Sequence, residues 1–561
     1  MLNFGIYFAH EGYSTDKTEL MGRNAAGASF IRGLLTHSKS DTVAIVPESS
    51  DDVTEFKALV RKHRPGSETT VIPRVSLKRL GDVGGLYYPG PDIGRAALER
   101  SIADEDGASW ALCGITHTTS SHQAMDAISS WITDPIQHWD AVICTSRTVK
   151  QNVETILQAQ VDVLKDRLGI TKLPLPQLPV IPIGIHTKDF NFTEKQRADA
   201  KQRVGASAGD IVFLYTGRLS FHAKAHPLAM YQALEAARVE TGKSLILVEC
   251  GWHANNYIRD SFRDAAAKAC PSVSVVTLDG RKEIDLTTAW ACADIFCSLS
   301  DNIQETFGIV PLEAMAAGIP VVVSDWDGYR DTVRHGVDGF TIPTMMPPPG
   351  LAGDIAYRHA LRLDSYDMYC GHSSSMVTMH HGKLKQAFVD LILSESLRKT
   401  MGKRGRERAR NDYDWRTIIA QYEALWSEQT KMRLFAKESA DSNGGSSYKR
   451  AFWPARLDPT IGFAGYPTTH IRDDTLLKFR EKSSAEALQK LHRIKQLNMV
   501  SYTDIMSPKI EEIETLFIAA EGNLPNPTRV GELTDKIADQ RKPLVTRGLV
   551  WLCKLGFFDF T

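Results

Sequence analysis

Two acidic residues lie on either side of the start of a short predicted helix. Glu305 and Glu313 are separated by seven residues, with Gly308 and Pro311 between them. Pro311 suits the first turn of a helix, and Gly318 suits the position just past its end. Amides at a helix N-terminus bind anions, and Gly308 lets a ligand approach the backbone closely. A ligand with phosphates and many hydroxyls, such as a nucleotide sugar, suits this site; alternatively, Glu313 only complements the helix dipole.

A pair of cations follows another predicted strand. Arg218 comes directly after Gly217, and Lys224 lies six positions further along the chain. A guanidinium can bind a diphosphate through two parallel hydrogen bonds, and an ammonium adds a compact point charge. Together they could neutralise a departing diphosphate without a metal ion. Taken alone, the pair is typical of ordinary surface cations.

Short apolar runs alternate with helical patterns over most of the chain, and these elements must position the charged groups. Most of the ten predicted strands are apolar on both faces, as in parallel sheets covered by helices. Ten strands are too many for one twisted open sheet, so two doubly wound α/β sheets are predicted. The predicted strands are 2–9, 41–46, 110–116, 141–145, 180–183, 211–215, 244–248, 273–277, 295–298 and 321–324.

Changes in composition predict the domain boundaries. A first α/β domain is predicted at residues 1–187 and a second at 188–412. A helix follows at 413–430. A flexible linker at 431–447, rich in Gly and Ser at its end, then precedes a mainly helical module at 448–561.

The composition excludes several classes of protein. The 561 residues include 66 Lys plus Arg and 67 Asp plus Glu, so net charge gives no pull toward nucleic acid or anionic lipid. No apolar run approaches the roughly 20 residues that cross a bilayer, and the N-terminus resembles a first strand rather than a signal peptide. Eight scattered cysteines without a C-x-x-C pair favour reduced thiols. We therefore expect a cytoplasmic protein that does not bind nucleic acid.

Taken together, these motifs resemble the GT-B glycosyltransferase family 4, the retaining nucleotide-sugar transferases. The resemblance covers about residues 1–430 and rests on Glu305-x7-Glu313, Gly217-Arg218 with Lys224, Val180-Ile-Pro-Ile-Gly-Ile185 and Tyr413-Asp-Trp415. It implies two Rossmann-like domains with a cleft between them, and a final helix that crosses back onto the first domain. It also implies transfer of a sugar to a hydroxyl acceptor, a glycan or a lipid-linked glycan, as in polysaccharide biosynthesis.

On the nucleotide side, the resemblance implies that Arg218 and Lys224 hold the donor diphosphate. Gly217 belongs to the same turn, and Glu313 takes the ribose hydroxyls. Retaining members lack an agreed enzyme nucleophile, and their leaving diphosphate is thought to accept the proton of the acceptor. We therefore expect electrostatic stabilisation of the leaving group to be the main catalytic term, with no metal ion and no cofactor.

On the sugar side, the resemblance implies that Glu305 and the amides of Phe307, Gly308 and Ile309 hold the sugar hydroxyls and the distal phosphate. His117 follows a predicted strand at its carboxyl end, where ligands of open α/β sheets bind. By resemblance, His117 contacts the donor sugar near the reaction centre.

The helix after the first strand supplies one more candidate. Many relatives carry a Gly-Gly pair at that turn, where it lines the acceptor side and touches phosphate. This sequence has Gly22 and Gly27 there instead of an adjacent pair. Gly27 is retained as a donor-binding candidate.

Several alternatives stay open. The same fold also serves disaccharide phosphorylases and sucrose-synthase-like enzymes, and a non-catalytic module could use the cleft to bind a nucleotide sugar. Asp325-Trp-Asp327 forms either a turn or a metal motif like that of another transferase fold. The basic run 398–410 is either a solvated helix end or a contact with the inner face of a membrane. The module 448–561 favours oligomerisation or partner docking over DNA binding.

Overall fold

The computed structural model describes residues 4–13, 22–104, 107–442, 453 and 455–560. The chain divides into two compact units, residues 1–453 and 454–561. None of the helices in the described ranges is long and apolar enough to cross a membrane. All eight cysteines are free, and seven of them are buried.

The first sheet consists of six parallel strands in the order β3-β2-β1-β4-β5-β6. Its strands are β1 Phe4–Phe8, β2 Thr42–Pro47, β3 Glu68–Val71, β4 Gly85–Tyr87, β5 Ala111–Thr116 and β6 Ala141–Cys144. The accompanying helices are α1 His10–Tyr13, α2 Gly22–His37, α3 Ser50–His63, α4 Leu80–Val83, α5 Ile93–Ala103, α6 His122–Ser130 and α7 Arg147–Leu168. Every residue of β5 and β6 is buried, as expected for strands with helices on both faces.

The second sheet repeats this topology. Its strand order is β12-β11-β10-β7-β8-β9, which is the order of the first sheet when the count restarts at β7. Its strands are β7 Ile211–Thr216, β8 Leu245–Gly251, β9 Ser274–Asp279, β10 Ile295–Ser298, β11 Val321–Ser324 and β12 Gly339–Ile342. In such a sheet the crevice for ligands lies where the strand order reverses, here between β7 and β10.

Helices cover the second sheet on both faces and continue beyond it. They are α8 Glu194–Arg203, α9 Leu228–Thr241, α10 Asn256–Ala269, α11 Glu283–Cys292, α12 Ile309–Ala317 and α13 Tyr329–Thr332. Strands β13 Thr344–Met345 and β14 Thr378–Met379 form a two-stranded antiparallel ladder. Between them in the sequence lie α14 Gly353–Ala360 and α15 Tyr366–Ser374. Then come α16 His381–Leu393, α17 Glu395–Asp412 and α18 Trp415–Ser442.

The predicted α/β architecture of two Rossmann-like sheets is confirmed, but the predicted strand at 180–183 is wrong. Val180 forms only an isolated bridge with Cys144. Pro179 and Pro182 flank and interrupt this run, and proline has no amide to donate to a ladder. Strands β3, β4 and β12, which complete the two sheets, are not predicted by the sequence pattern.

Helix α18 returns to the first sheet. The Trp415 indole Nε1 donates a hydrogen bond of 2.7 Å to the Ser29 hydroxyl on α2. Further along, the Gln429 side chain donates to the carbonyl oxygen of Leu112 on β5, at 2.7 Å. The helix runs to Ser442, past its predicted end at 430, and Arg433 beyond that end donates a hydrogen bond of 2.8 Å to the carbonyl of Ala108, which precedes β5. It therefore occupies most of the predicted linker, whose residues 443–447 lie outside the described part of the chain.

Helix α17 packs closely on α12, the short helix of the acidic motif. A Cβ at Gly402 would lie 2.1 Å from the carbonyl oxygen of Gly318. Arg406 donates a hydrogen bond of 2.6 Å to the carbonyl of Ala317, at the C-terminal end of α12, where positive charge is favourable. The basic run at 398–410 therefore has an inward side that fixes α12.

The second unit combines helices with a three-stranded antiparallel sheet of order β16-β15-β17. Its strands are β15 Leu476–Phe479, β16 Thr528–Arg529 and β17 Phe558–Phe560. Its helices are α19 Pro459–Gly462, α20 Ser484–Ile494, α21 Asn498–Ser501, α22 Ile510–Glu521, α23 Val530–Thr534 and α24 Lys542–Lys554. Phe479, Phe517 and Phe558 pack in its core. The predicted mainly helical character is confirmed, and the small sheet is an addition to it.

Candidate functional site

Two loops at the carboxyl edge of the second sheet bring the predicted donor-site residues together. The loop at 217–227 follows β7, and the loop at 299–308 follows β10. The Asn302 side-chain amide donates a hydrogen bond of 3.1 Å to the carbonyl of His222, which ties one loop to the other. Because β7 and β10 are neighbours in the sheet, both loops open onto the crevice at the strand reversal.

Lys224 and Glu305 form the central ion pair of this site. Lys224 Nζ lies 2.6 Å from Glu305 Oε2, and the Glu305 side chain is only 9% exposed. Salt screens partly buried pairs less than exposed ones, so this pair is less sensitive to salt than an exposed surface pair. The sequence predicts both residues for the site, and the structure brings them into direct contact.

Arg218 lies beside this pair and divides its donors among three partners. Its Nη2 donates to the carbonyl of Ala223 at 2.9 Å and to Gln304 Oε1 at 3.3 Å. Its Nη1 lies 3.5 Å from Asp367 Oδ2 on α15. Asp367 is not a sequence-predicted site residue, since nothing in the sequence pattern places α15 over this loop.

Gly217 permits the turn that carries Arg218. Its φ of +146° lies in the region that favours glycine. Its amide donates to the carbonyl of Cys250 at 3.1 Å, and a Cβ on Gly251 would lie 1.9 Å from the Gly217 carbonyl oxygen. The ends of β7 and β8 therefore approach more closely than side chains would allow.

The N-terminal end of α12 adjoins the same loop. Gly308 is its N-cap residue, with φ +80°, and a Cβ there would lie 1.9 Å from Cε1 of the Tyr329 ring. The helix begins at Ile309, which places Pro311 in its first turn as predicted. The first amides of a helix have no intrahelical acceptor, so this end can receive an anion. The structure thus places Phe307, Gly308 and Ile309 beside Glu305.

Glu313 lies one turn further along α12. Burial, together with the charge of Asp189, raises the pKa of Glu313 to about 7. Asp189 itself receives hydrogen bonds of 2.6 and 2.9 Å from Arg32 on α2 of the first sheet. Ribose binding by Glu313 stays a prediction, as does its alternative role as a complement to the helix dipole.

His117 and Gly27 line a separate cavity of about 650 Å³ at the carboxyl edge of the first sheet. The His117 carbonyl accepts a hydrogen bond of 3.0 Å from the Thr306 hydroxyl, so His117 adjoins the loop that carries Glu305. A Cβ on Gly27 would lie 2.5 Å from the carbonyl oxygen of Gly12. Close packing of α1 on α2 therefore requires glycine at this position.

Hydrogen bonds also join the two sheets across the cleft. The Ser146 hydroxyl donates to Asp327 Oδ1 at 3.1 Å, and Arg147 Nε donates to Asp331 Oδ1 at 2.7 Å. Burial raises the pKa of Asp327 to about 7, although the Ser146 hydrogen bond lowers it. Asp327 thus belongs to a contact between the sheets. The described residues hold no group of three or more His, Cys, Asp or Glu that could bind a metal ion.

Asp301 lies at the base of the second loop and predicts a pH dependence of stability. Its side chain is 4% exposed, and its Oδ1 has no hydrogen-bond partner within the described residues. Burial raises its pKa to about 7, although the His226 amide lowers it. The Asp301 carboxyl therefore keeps its proton to a higher pH in the folded state than in the unfolded chain. As a result, its contribution to the free energy of unfolding falls as the pH rises from about 4 to about 7.

The Asp301→Asn variant has no titrating carboxyl at this position, so it lacks this fall in stability with rising pH. We expect its free energy of unfolding, relative to wild type, to rise by about 2–3 kcal/mol between about pH 5 and about pH 8. Urea denaturation at both pH values measures the difference. Asp354→Asn, which replaces an exposed acid on α14, is the control. Its free energy of unfolding relative to wild type should be the same at both pH values. A constant difference between Asp301→Asn and wild type would contradict the burial of a titrating carboxyl.

Comparisons with known proteins agree with this architecture. The sequence profile of the family described as "Glycosyl transferases group 1" matches residues 196–355, which include both donor-site loops and α12. The chain is 29% identical over 181 residues to the D-inositol 3-phosphate glycosyltransferase of Thermobispora bispora, covering 32% of this chain and 41% of that protein. It is 32% identical over 151 residues to the phosphatidyl-myo-inositol mannosyltransferase of Mycobacterium leprae, covering 26% and 30%. The chain thus spans less than half the length of these curated relatives.

A solved structure resembles a larger part of the chain. The crystal structure of Anabaena HepE in complex with UDP and glucose covers 76% of this chain and all of its own, with 16% identity and a TM-score of 0.49. The fold itself is defined by the two repeated six-stranded sheets and by the family match on the second of them. The predicted GT-B class, with two Rossmann-like sheets and a cleft between them, is therefore confirmed.

Proposed function

We propose that this chain is a retaining glycosyltransferase that moves a sugar from a nucleotide-diphosphate sugar to a hydroxyl acceptor. The observation that carries the proposal is the convergence of Arg218, the Lys224–Glu305 pair and the N-terminus of α12 at one edge of the second sheet. The family match over 196–355 supports it, because it covers all of these groups. The names of the matched relatives, a glycosyltransferase and a mannosyltransferase, agree with it.

The proposed mechanism depends on the charge of the leaving group. Arg218 and Lys224 bind the diphosphate, Glu305 and the amides of 307–309 hold the sugar hydroxyls and the distal phosphate, and Glu313 binds the ribose. As the bond to the anomeric carbon breaks, negative charge grows on the diphosphate, and the two fixed cations stabilise it. The leaving phosphate takes the proton of the acceptor hydroxyl, which attacks from the same face. The proposal needs no metal ion, because the cations supply the positive charge.

The acceptor is proposed to enter the 650 Å³ cavity at the carboxyl edge of the first sheet, where His117 contacts the donor sugar near the reaction centre and Gly27 belongs to the donor site. This cavity adjoins the Glu305 loop through the hydrogen bond between Thr306 and the His117 carbonyl. We propose a glycan or a lipid-linked glycan as acceptor, within polysaccharide biosynthesis in the cytoplasm. Exposed Lys403 and Arg404 on α17 could contact a membrane surface, and residues 448–561 could mediate oligomerisation.

A nucleotide panel tests the donor. UDP, GDP, ADP and their sugars are screened by thermal shift, and we expect one base to stabilise the protein by about 2.7 kcal/mol at a hundredfold excess over Kd. The Arg218→Gln variant should lose this shift while keeping the unliganded melting temperature. Turnover with an acceptor is then followed by NMR, which shows whether the anomeric configuration is retained.

Other outcomes of this panel favour the alternatives. Release of nucleotide only with phosphate or a disaccharide present indicates a phosphorylase or a sucrose-synthase-like enzyme. Tight binding without turnover on any acceptor indicates a non-catalytic binding module. If none of the nucleotides binds, the proposed donor site is wrong.

A further inference from the structure

Residues 346–377, here called the α14–α15 segment, lie across the cleft above the donor-site loops. The hydroxyl of Tyr366, the first residue of α15, is 2.8 Å from the Ser120 hydroxyl in the loop after β5. The ring of His359 on α14 stacks on His122 of α6, with 3.8 Å between ring centroids. The segment follows the last strand of the second sheet, yet it also contacts the first.

Helix α15 also packs against the second sheet's donor-site loop. A Cβ on Gly371 would lie 3.0 Å from the Cβ of His222, so α15 rests on the loop that carries Arg218 and Lys224. Ser365 caps the helix by accepting a backbone amide hydrogen bond. Asp367 is therefore positioned by packing and capping, and its carboxylate is presented to Arg218. The N-terminal turn of a helix also favours an acidic side chain.

The guanidinium of Arg218 has one terminal nitrogen that faces this carboxylate. Nη2 is engaged by Ala223 and Gln304, both within the donor-site loops. Nη1 lies 3.5 Å from Asp367 Oδ2, and the side chains of Arg218 and Asp367 are 26% and 42% exposed. A ligand that enters from solvent can therefore reach Nη1, and it meets the carboxylate there.

We propose that Asp367 is an internal anion that the donor diphosphate must displace from Arg218. The inference rests on the proposed donor site and adds to it a determinant of ligand choice. Two anions that compete for one guanidinium nitrogen repel each other, so the carboxylate subtracts from the affinity of every anionic ligand. A diphosphate overcomes this cost because it also binds Lys224 and the N-terminus of α12. A ligand with one phosphate makes fewer of these contacts and therefore binds more weakly.

Calorimetric titration of the full-length Asp367→Asn variant tests the displacement. The probes are UDP, GDP and ADP with the corresponding monophosphates. We expect the nucleotide diphosphate that binds wild type to bind the variant about two- to fivefold tighter at low ionic strength. The affinity of the variant for the corresponding monophosphate should exceed that of wild type by at least the same factor. Because the effect is electrostatic, it should shrink at about 1 M salt, where the Debye length is about 3 Å.

Two matched variants separate charge from structure. Asp367→Glu keeps the charge and should restore wild-type affinity, whereas Asp354→Asn removes an exposed charge from the same segment and should leave affinity unchanged. Asp367→Ala provides a second neutral variant if the Asn protein folds poorly.

The outcomes distinguish this inference from the function on which it rests. Wild-type or weaker nucleotide affinity in the neutral variants would overturn the displacement by Asp367 and leave the donor site intact. A tighter affinity that salt does not reduce would also overturn it. If no nucleotide binds either wild type or the variants, the donor site itself is wrong and the inference falls with it.

Discussion

We expect the Lys224→Ala variant to turn over about 30- to 1000-fold more slowly than wild type, because it lacks one of two cations that stabilise the leaving diphosphate. A loss of about 2–4 kcal/mol of transition-state stabilisation corresponds to this range. The substitution also leaves the buried Glu305 without the ammonium at 2.6 Å. The unpaired buried carboxylate also destabilises the site, because burying a charge without its partner costs free energy. Steady-state kinetics with the donor identified by the nucleotide panel measures the effect.

Two further variants show which part of the loss is catalytic. Lys224→Arg keeps a positive charge near Glu305 and should recover part of the rate. Lys243→Ala removes an exposed lysine from the turn between α9 and β8 and should leave kcat unchanged. A Lys224→Ala enzyme that folds normally and turns over at the wild-type rate would remove Lys224 from the mechanism.

The donor-site residues could be predicted from the sequence because their positions are determined by nearby residues along the chain. Pro311 and Gly318 mark the bounds of α12 through their own backbone preferences, and the structure has both at the predicted ends of the helix. Glu305 and Lys224 each follow the carboxyl end of a strand, where parallel sheets gather their ligands. Since both strands sit at the strand reversal of one sheet, the two side chains meet.

The contacts across the cleft could not be predicted, because they depend on how distant segments pack. Asp367 reaches Arg218 only because α15 is held between Ser120 and His222, and no sequence period encodes that placement. The same holds for Asp327, which accepts a hydrogen bond from Ser146, the residue that caps α7 after the first sheet. A titratable residue in a polar loop gives no signal of its partner in the sequence.

The missed strands have a different reason. Gly85–Tyr87 has three residues, too few for any hydrophobic period to appear, and Glu68–Val71 is a half-exposed edge strand with a polar sequence. Both are strands because a neighbour pairs with them. By contrast, 180–183 has the β-branched residues of a strand, but its prolines cannot donate to a ladder. In these segments, pairing with a neighbouring strand, rather than composition, determines whether a strand forms.

The Gly308→Ala variant should lose about 2–5 kcal/mol of unfolding free energy together with nucleotide binding. A φ of +80° costs a residue with a Cβ about 1–2 kcal/mol. The new methyl would also lie 1.9 Å from the Tyr329 ring, and overpacking of this kind costs about 1–3 kcal/mol. Tyr329 is buried and its hydroxyl is 2.8 Å from the Ser298 hydroxyl, so the ring cannot move away freely. Relief of the overlap must instead shift the N-terminal amides of α12.

Gly336→Ala is the matched control for this prediction. Gly336 has a similar φ of +72°, but a Cβ there meets no atom within 4 Å among the described residues. It should therefore lose only the backbone cost of about 1–2 kcal/mol and keep nucleotide affinity. Urea denaturation and calorimetric titration of both variants separate the two contributions. Equal stability of the two variants would mean that Tyr329 does not pack on Gly308, and intact nucleotide affinity in Gly308→Ala would mean that the N-terminus of α12 does not hold the phosphate.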